Sequence, residues 1–128
     1  MQIDIPDVKA EVAAAFARYE VALVTNDVAT LTELFWADHR TLRYGGGENL
    51  HGIAEIEAFR VARAPAGLAR TTERTIITTF GHDFATASTL FRRDSLPGKI
   101  GRQMQTWVRF AEGWRVVAAH VSVIAEPG

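Results

Sequence analysis

Apolar residues recur at three- and four-residue spacing through Val8, Val12, Phe16, Tyr19 and Leu23, and that period predicts a long amphipathic helix. Pro6 and Asp7 suit its first turn, where the amide that proline lacks would be unpaired anyway. Thr25, Asn26 and Asp27 break the pattern, and Asp27 is placed to cap a second helix that carries Val28, Leu31, Leu34 and Phe35 on one side. A helical hairpin is expected. After Trp36 the period shortens, and Thr41 to Tyr44 read as a short strand halted by Gly45, Gly46 and Gly47, with Asn49 to Gly52 as its return partner. Ile53, Ile56 and Phe59 then resume helical spacing, and Pro65 with Gly67 closes this third helix.

From there the helical period is gone. Segments near 70–80, 84–93, 99–110 and 114–125 are rich in Thr, Val, Ile, Phe and Trp, which favour strands. They are separated by turn chemistry at Gly81-His82-Asp83, Leu96-Pro97-Gly98 and Ala111-Glu112-Gly113. Four hairpin-linked strands make an antiparallel meander, and helices followed by strands make an α+β arrangement with helices on one face of a curved sheet.

A chain of 128 residues, 48% hydrophobic and 23% charged, without repeats or linker-like runs, is expected to form one domain spanning residues 1–128. A net charge of −1 argues against nucleic acid, which needs a basic face. No stretch approaches the length of a bilayer span and the start, MQIDIPDVKAEV, lacks a leader pattern, so a cytoplasmic protein without membrane contact is expected. Zero cysteines exclude thiolate chemistry. The four histidines are scattered without ligand spacing, so no metal is expected. No GxSxG elbow appears, and GGGEN lacks the ending of a phosphate loop. Of 14 basic residues 12 are arginine, a bias that coding composition explains as readily as anion binding, so only position can single out a functional arginine.

The order of elements resembles the NTF2-like, or SnoaL-like, cone-shaped fold, in which an N-terminal helical hairpin and a third helix pack on a curved antiparallel sheet. GWRVVAAHVSVI is similar to that superfamily's last strand. More narrowly, AFARYEVALVTND, LFW, TLRYGGGENLHG, GLART, DFATAS and GRQMQTWVRFAEGWRVVAAHVS resemble the AtzH-like family (DUF3225), which includes oxalurate-catabolism proteins of the HpxZ type. The resemblance runs from the first helix to Ser122. It implies a pocket between the first helix and the concave sheet face, and it implicates Tyr19, in RYE, and Arg43, in LRYG, as catalytic. The fold by itself hosts enzymes, scaffolds and oligomerisation modules.

The residues themselves leave choices open. Tyr19 shares the apolar helix face with Phe16 and Leu23, which fits either a core tyrosine or a pocket hydroxyl. Arg43 opposes Leu42 and Tyr44 in its strand, so either it or they face inward. If Arg43 is inward it is a buried cation that needs an anion; Glu20 is expected on the wrong face of the first helix, which leaves a ligand carboxylate as partner. Arg70 opens the third strand, in GLART, and is expected to share a face with Arg74, as a second guanidinium or as part of a solvated face alternating with Glu73. His120 and Ser122 are expected on one face of the last strand with Trp114, Val116 and Ala118, where the histidine orients substrate or is bonded to backbone. Gln103 and Gln105 alternate with Trp107 and compete with Met104 and Val108 for the inward side, Gln105 being the candidate substrate contact.

The resemblance implies a small cofactor-independent hydrolase of the decarboxylating amidohydrolase type, acting on an N-carboxylated urea or ureido-carboxylate in nitrogen-compound catabolism. The alternative is a protein that binds an acidic metabolite, or an accessory dimerisation protein of an amidase pathway. An isomerase or cyclase of the SnoaL kind would need a carboxylate base in the cone. Val117, Ala119, Val121 and Val123 form an apolar face expected outside the cone, which suggests a homodimer through the sheet.

Overall fold

In the computed structural model, residues 1–127 are described. They form α1 (Pro6–Val24), α2 (Val28–Glu33), β1 (Leu42–Tyr44), β2 (Asn49–His51), α3 (Ile53–Ala62), β3 (Thr71–Phe80), β4 (Phe84–Arg92), β5 (Lys99–Phe110) and β6 (Gly113–Ala125). Pro6 stands in the first turn of α1, and the five residues of its apolar stripe, Val8, Val12, Phe16, Tyr19 and Leu23, are all buried. Asp27 caps α2 through Thr30 N–H, as an N-cap aspartate does to satisfy an orphan donor. Leu34 and Phe35 lie just beyond that short helix yet remain in the core. Among the described residues no helix is long and apolar enough to cross a membrane.

The sheet has the order β2-β1-β6-β5-β4-β3. β3 to β6 are the expected antiparallel meander, but β1 joins β6 in parallel, so the six-stranded sheet is mixed and not wholly antiparallel. Its inner face and the apolar faces of α1 and α2 enclose one core around Trp107, Trp114, Val116, Phe35 and Leu31. Burying each large apolar side chain there contributes roughly 1.5–3 kcal/mol.

Two bulges decide which polar residues face inward. Between Thr106 and Trp107 of β5 the pairing with β6 slips from Ala118 to Val116, which leaves Val117 unpaired. An extra residue shifts the two-residue alternation by one. Trp114 and Val116 therefore face inward, but further along Ala119 and Val121 do so. This overturns the expected face: His120 and Ser122 lie on the outside of the sheet, and Ala119 and Val121 do not form an outer apolar surface. A second bulge between Glu73 and Ile76, with Arg74 at φ +52°, separates Arg74 from Arg70 in the same way. Arg74 lines an outer groove with Ile76 and Met104.

On β4 the inward set is Ala85, Ala87, Thr89 and Phe91, and on β5 it is Gly101, Gln103, Gln105 and Trp107. Gly101 pairs with Phe91, whose ring fills the space above the glycine so completely that a Cβ there would overlap it. Gly101→Ala is expected to push Phe91 out of its seat and destabilise the protein by about 1–3 kcal/mol, the usual penalty for overpacking a filled site. Urea unfolding followed by tryptophan fluorescence measures this.

Candidate active site

The loop after β1 explains its own glycines. The Gly45 amide donates to the Glu48 carbonyl at 3.0 Å, which turns the chain back on itself. Glu48 then folds over the sheet: its Oε1 accepts from Arg43 Nη1 at 2.8 Å and its Oε2 from the Gly47 amide at 3.1 Å. A Cβ on residue 45 would overlap the Glu48 carboxylate, so glycine is what lets the glutamate reach the arginine. Arg43 points into the cone, with a side chain only 8% exposed. Its partner is thus a carboxylate of its own loop, which corrects the expectation that the protein offers it none. The Arg43 Nε remains unpartnered.

Arg70 is buried as well, its side chain 1% exposed. One edge of its guanidinium is bidentate on Glu20: Nε donates to Oε2 at 3.1 Å and Nη2 to Oε1, and Nη2 also donates to Gln103 Oε1 at 3.0 Å. Glu20 was expected on the wrong face. One residue past Tyr19 it stands about 100° round the helix, at the margin of the buried face, where a long arginine from the sheet can meet it. The Arg70 guanidinium lies 4.4 Å from the centre of the Phe91 ring.

Three further arginines enclose the same space, and none was singled out in the sequence. Arg60 comes from α3, Arg63 follows that helix at its C-cap, and Arg93 follows β4. Arg60 has relative exposure 1%, and none of its three guanidinium nitrogens has a hydrogen-bond partner among the described residues. Its guanidinium carbon lies 4.7 Å from the Phe35 ring centre and 5.9 Å from that of Tyr19. Arg63 packs on Phe59 at 5.7 Å and Arg93 on Phe91 at 5.0 Å, and among the described residues Arg63 Nε and Nη2 and Arg93 Nε are buried without an acceptor. Such cation and ring contacts are favourable but weak beside the desolvation of a charge. Burial pushes the pKa of Arg60 and of Arg93 down, and burial together with the neighbouring Arg60 and Arg43 pushes Arg63 down to about 10.

The signal for these residues was present. The inward stripe Ile56 and Phe59 continues, four residues on, into Arg60 and Arg63, and the alternation Thr89, Phe91 continues into Arg93. A stripe that ends in arginine instead of an apolar residue marks a cation directed inward.

Tyr19 sits at the centre, 2% exposed, its ring 6.3 Å from that of Phe35. Burial opposes ionisation of its hydroxyl, but the guanidiniums of Arg60, Arg43 and Arg70 outweigh it and hold the phenol below its ordinary pKa. The five guanidiniums share two paired carboxylates, Glu20 and Glu48, which leaves an excess of three positive charges around one tyrosine. A cavity of about 190 Å³ opens at the mouth of this cluster, walled by Arg43, Glu48, Phe59, Arg63, Phe91 and Arg93. Hollows of about 270 Å³ beside Tyr44, Met104 and His120 and about 360 Å³ beside Arg74, Ile76 and Met104 lie on the outer sheet face, and one of about 230 Å³ lies among Arg70, Arg92, Arg93 and Asp94.

Of the residues expected at the site, the structure therefore groups Tyr19, Arg43 and Arg70. Gln105 faces inward, its Oε1 accepting from Trp107 Nε1 at 3.1 Å and its amide nitrogen unpartnered. Gln103 also has a free amide nitrogen, and its carbonyl is the one bound to Arg70. His120 is excluded, because the β6 bulge turns it outward and exposes it. Among the described residues no three His, Asp or Glu side chains converge as metal ligands would.

A family model described as AtzH-like matches residues 1–127. A protein of unknown function from the DUF3225 family of Pectobacterium atrosepticum is 62% identical, with 96% of this chain and 95% of that one covered and a TM-score of 0.93. A cystatin-like fold protein from Burkholderia xenovorans is 50% identical over 99% of both chains, with a TM-score of 0.95. An NTF2-like superfamily protein from Salmonella enterica shares the fold at 23% identity, covering 95% of this chain and 94% of that one at a TM-score of 0.75. Among curated proteins there is no match.

Proposed function

The chain belongs to the AtzH-like family, within the NTF2-like superfamily, and from that premise we propose that it is a cofactor-independent hydrolase of a ureido-carboxylate or N-carboxylated urea. The observation that carries this reading is the buried excess of guanidinium charge around Tyr19. A carboxylate is the ligand that such a cluster favours, because guanidinium forks match its two oxygens. To reach Arg43 the substrate carboxylate displaces Glu48, whose loop has room to swing at Gly46 and Gly47, where nothing lies within 4 Å of an added Cβ. The free amide of Gln105 offers a hydrogen bond to a ureido carbonyl.

The chemistry follows from what surrounds the reacting carbon. Water adds its oxygen to the ureido carbonyl carbon, giving up a proton to the Tyr19 oxygen. The carbonyl gains negative charge, which nearby guanidiniums stabilise. The C–N bond then breaks, Tyr19 passes the proton to the departing nitrogen, and ammonia leaves. If the new acid is a carbamate, it takes up a proton and loses carbon dioxide, which makes the overall reaction decarboxylating. A phenol held below its ordinary pKa is suited to moving a proton both ways.

We expect Tyr19→Phe and Arg43→Ala to lower turnover by roughly 10²–10⁴-fold, the usual worth of a positioned proton-transfer group, with unchanged circular dichroism. The assay is release of ammonia and carbon dioxide from oxalurate, allophanate and related carboxyureas. Full activity in either variant contradicts the assignment. If none of these compounds is turned over while a small dicarboxylate raises the melting temperature, the protein binds acidic metabolites instead of hydrolysing them.

A second copy of the chain is proposed to cover the outer sheet face. The support is the exposure there of Met104 at 63% and Ile76 at 57%, beside hollows with mainly apolar walls. Light scattering after size exclusion is expected to give a dimer at micromolar concentration, and Met104→Asp to give a monomer. A strict monomer for the unaltered chain overturns the proposal.

A further inference from the structure

Arg60 takes no part in the proposed hydrolysis, and among the described residues it is the side chain with the most buried nitrogens lacking a hydrogen-bond partner. It comes from the buried face of α3, is 1% exposed, and has no acceptor for Nε, Nη1 or Nη2 among the described residues. The two carboxylates of the chamber are already engaged, Glu48 by Arg43 and Glu20 by Arg70. What Arg60 does meet is the Phe35 ring, centred at 4.7 Å, and Tyr19, whose ring centre lies at 5.9 Å and whose hydroxyl is near enough to act on the guanidinium without a well-formed hydrogen bond. Attraction to ring faces does not offset the loss of water around an isolated guanidinium. A side chain there that served packing alone would be better as methionine or leucine, since replacing buried charge by apolar volume is often neutral or stabilising.

We propose that Arg60 is a positioning residue that acts through Tyr19: its unpartnered guanidinium is the built-in counter-charge for the Tyr19 oxygen once that oxygen has lost its proton. The inference rests on the reading that Tyr19 moves a proton. Tyr19 is placed for it, because among the described residues every other oxygen anion of the chamber is committed to another arginine. The remaining charges that act on Tyr19 come from each element packed around it. Arg43 approaches from β1, Arg70 from just before β3, Arg63 from the C-cap of α3 and Arg93 from just after β4. Glu20, beside Tyr19 on α1, is neutralised by Arg70, and Glu48 by Arg43. Arg60 is the member of this set that is buried with every nitrogen free, and it is the first of the cations that favour the ionised phenol. A depressed phenol pKa also links to stability with a definite sign. The folded state gains stability as pH rises from the folded pKa of Tyr19 to its unfolded value near 10, keeps it above, and loses it as pH falls back through the folded pKa.

The chain has two tyrosines, Tyr19 and Tyr44, so an ultraviolet difference titration reads them almost singly. The wild type is expected to show one phenol ionising below the ordinary range, and Tyr19→Phe to remove that step. Arg60→Met is expected to move the step upward by about one pH unit or more, a tenfold change in ionisation. Arg60→Lys restores part of the shift, and Arg60→Gln replaces the methionine variant if the latter does not fold. The melting temperature of Arg60→Met is expected to equal or exceed that of the wild type. In the wild type both phenols titrating together in the ordinary range overturns the proposal, and so does an early step that Arg60→Met leaves unmoved. The titration needs no substrate. An early step that depends on Arg60, in a protein that turns over no ureido compound, sustains the counter-charge and removes the hydrolase reading.

Discussion

The enclosed excess of positive charge beneath α1 sets the conditions for the rest of the site. A lone charge taken out of water loses several kcal/mol of solvation, and a protein of this size is stable by only about 5–15 kcal/mol in total. Arg43 and Arg70 recover part of that loss through Glu48 and Glu20. Arg60 recovers little, since none of its donors has an acceptor among the described residues, while the half-buried Arg63 and Arg93 keep part of their hydration. A negative group arriving in the chamber would gain what the protein alone has left unpaired.

The scaffold serves this charge in specific ways. The glycine turn after β1 folds Glu48 back onto Arg43, so in this state the arginine is both neutralised and covered. Phe91 rests on Gly101 and presents its ring to Arg70 and Arg93, holding two guanidiniums over one hydrophobic platform. Phe59 does the same for Arg43 and Arg63. Ring contacts of this kind hold the guanidiniums without occupying their donors, so Arg63 and Arg93 keep buried N–H groups that have no acceptor among the described residues.

The elements themselves were readable because each rests on local physics: the period of α1, the Asp27 cap, the turn residues between β3, β4, β5 and β6. Their observed bounds follow those expectations closely. What could not be read was parity. A bulge adds one residue without a sequence mark as plain as proline or glycine, and it moved His120 from the inner face to the outer one and parted Arg74 from Arg70. The partners of Arg43 and Arg70 were missed for a different reason. Glu48 reaches Arg43 only through the fold of a glycine loop, and Glu20 meets an arginine 50 residues away, so neither pair follows from helical or strand spacing. Arg60 and Arg63 were legible in principle, because they continue an apolar stripe at its own spacing. The inward direction of Tyr19, by contrast, followed directly from its place between Phe16 and Leu23.

The claim that the guanidinium cluster is an anion site built around Tyr19 is tested most directly by a crystal structure of the protein soaked with malonate, a small dicarboxylate. The account predicts malonate within the cone, one carboxylate on Arg43 in place of Glu48 and the other near the free donors of Arg60 or Arg63. An empty chamber at saturating malonate, with Glu48 still on Arg43, would contradict it.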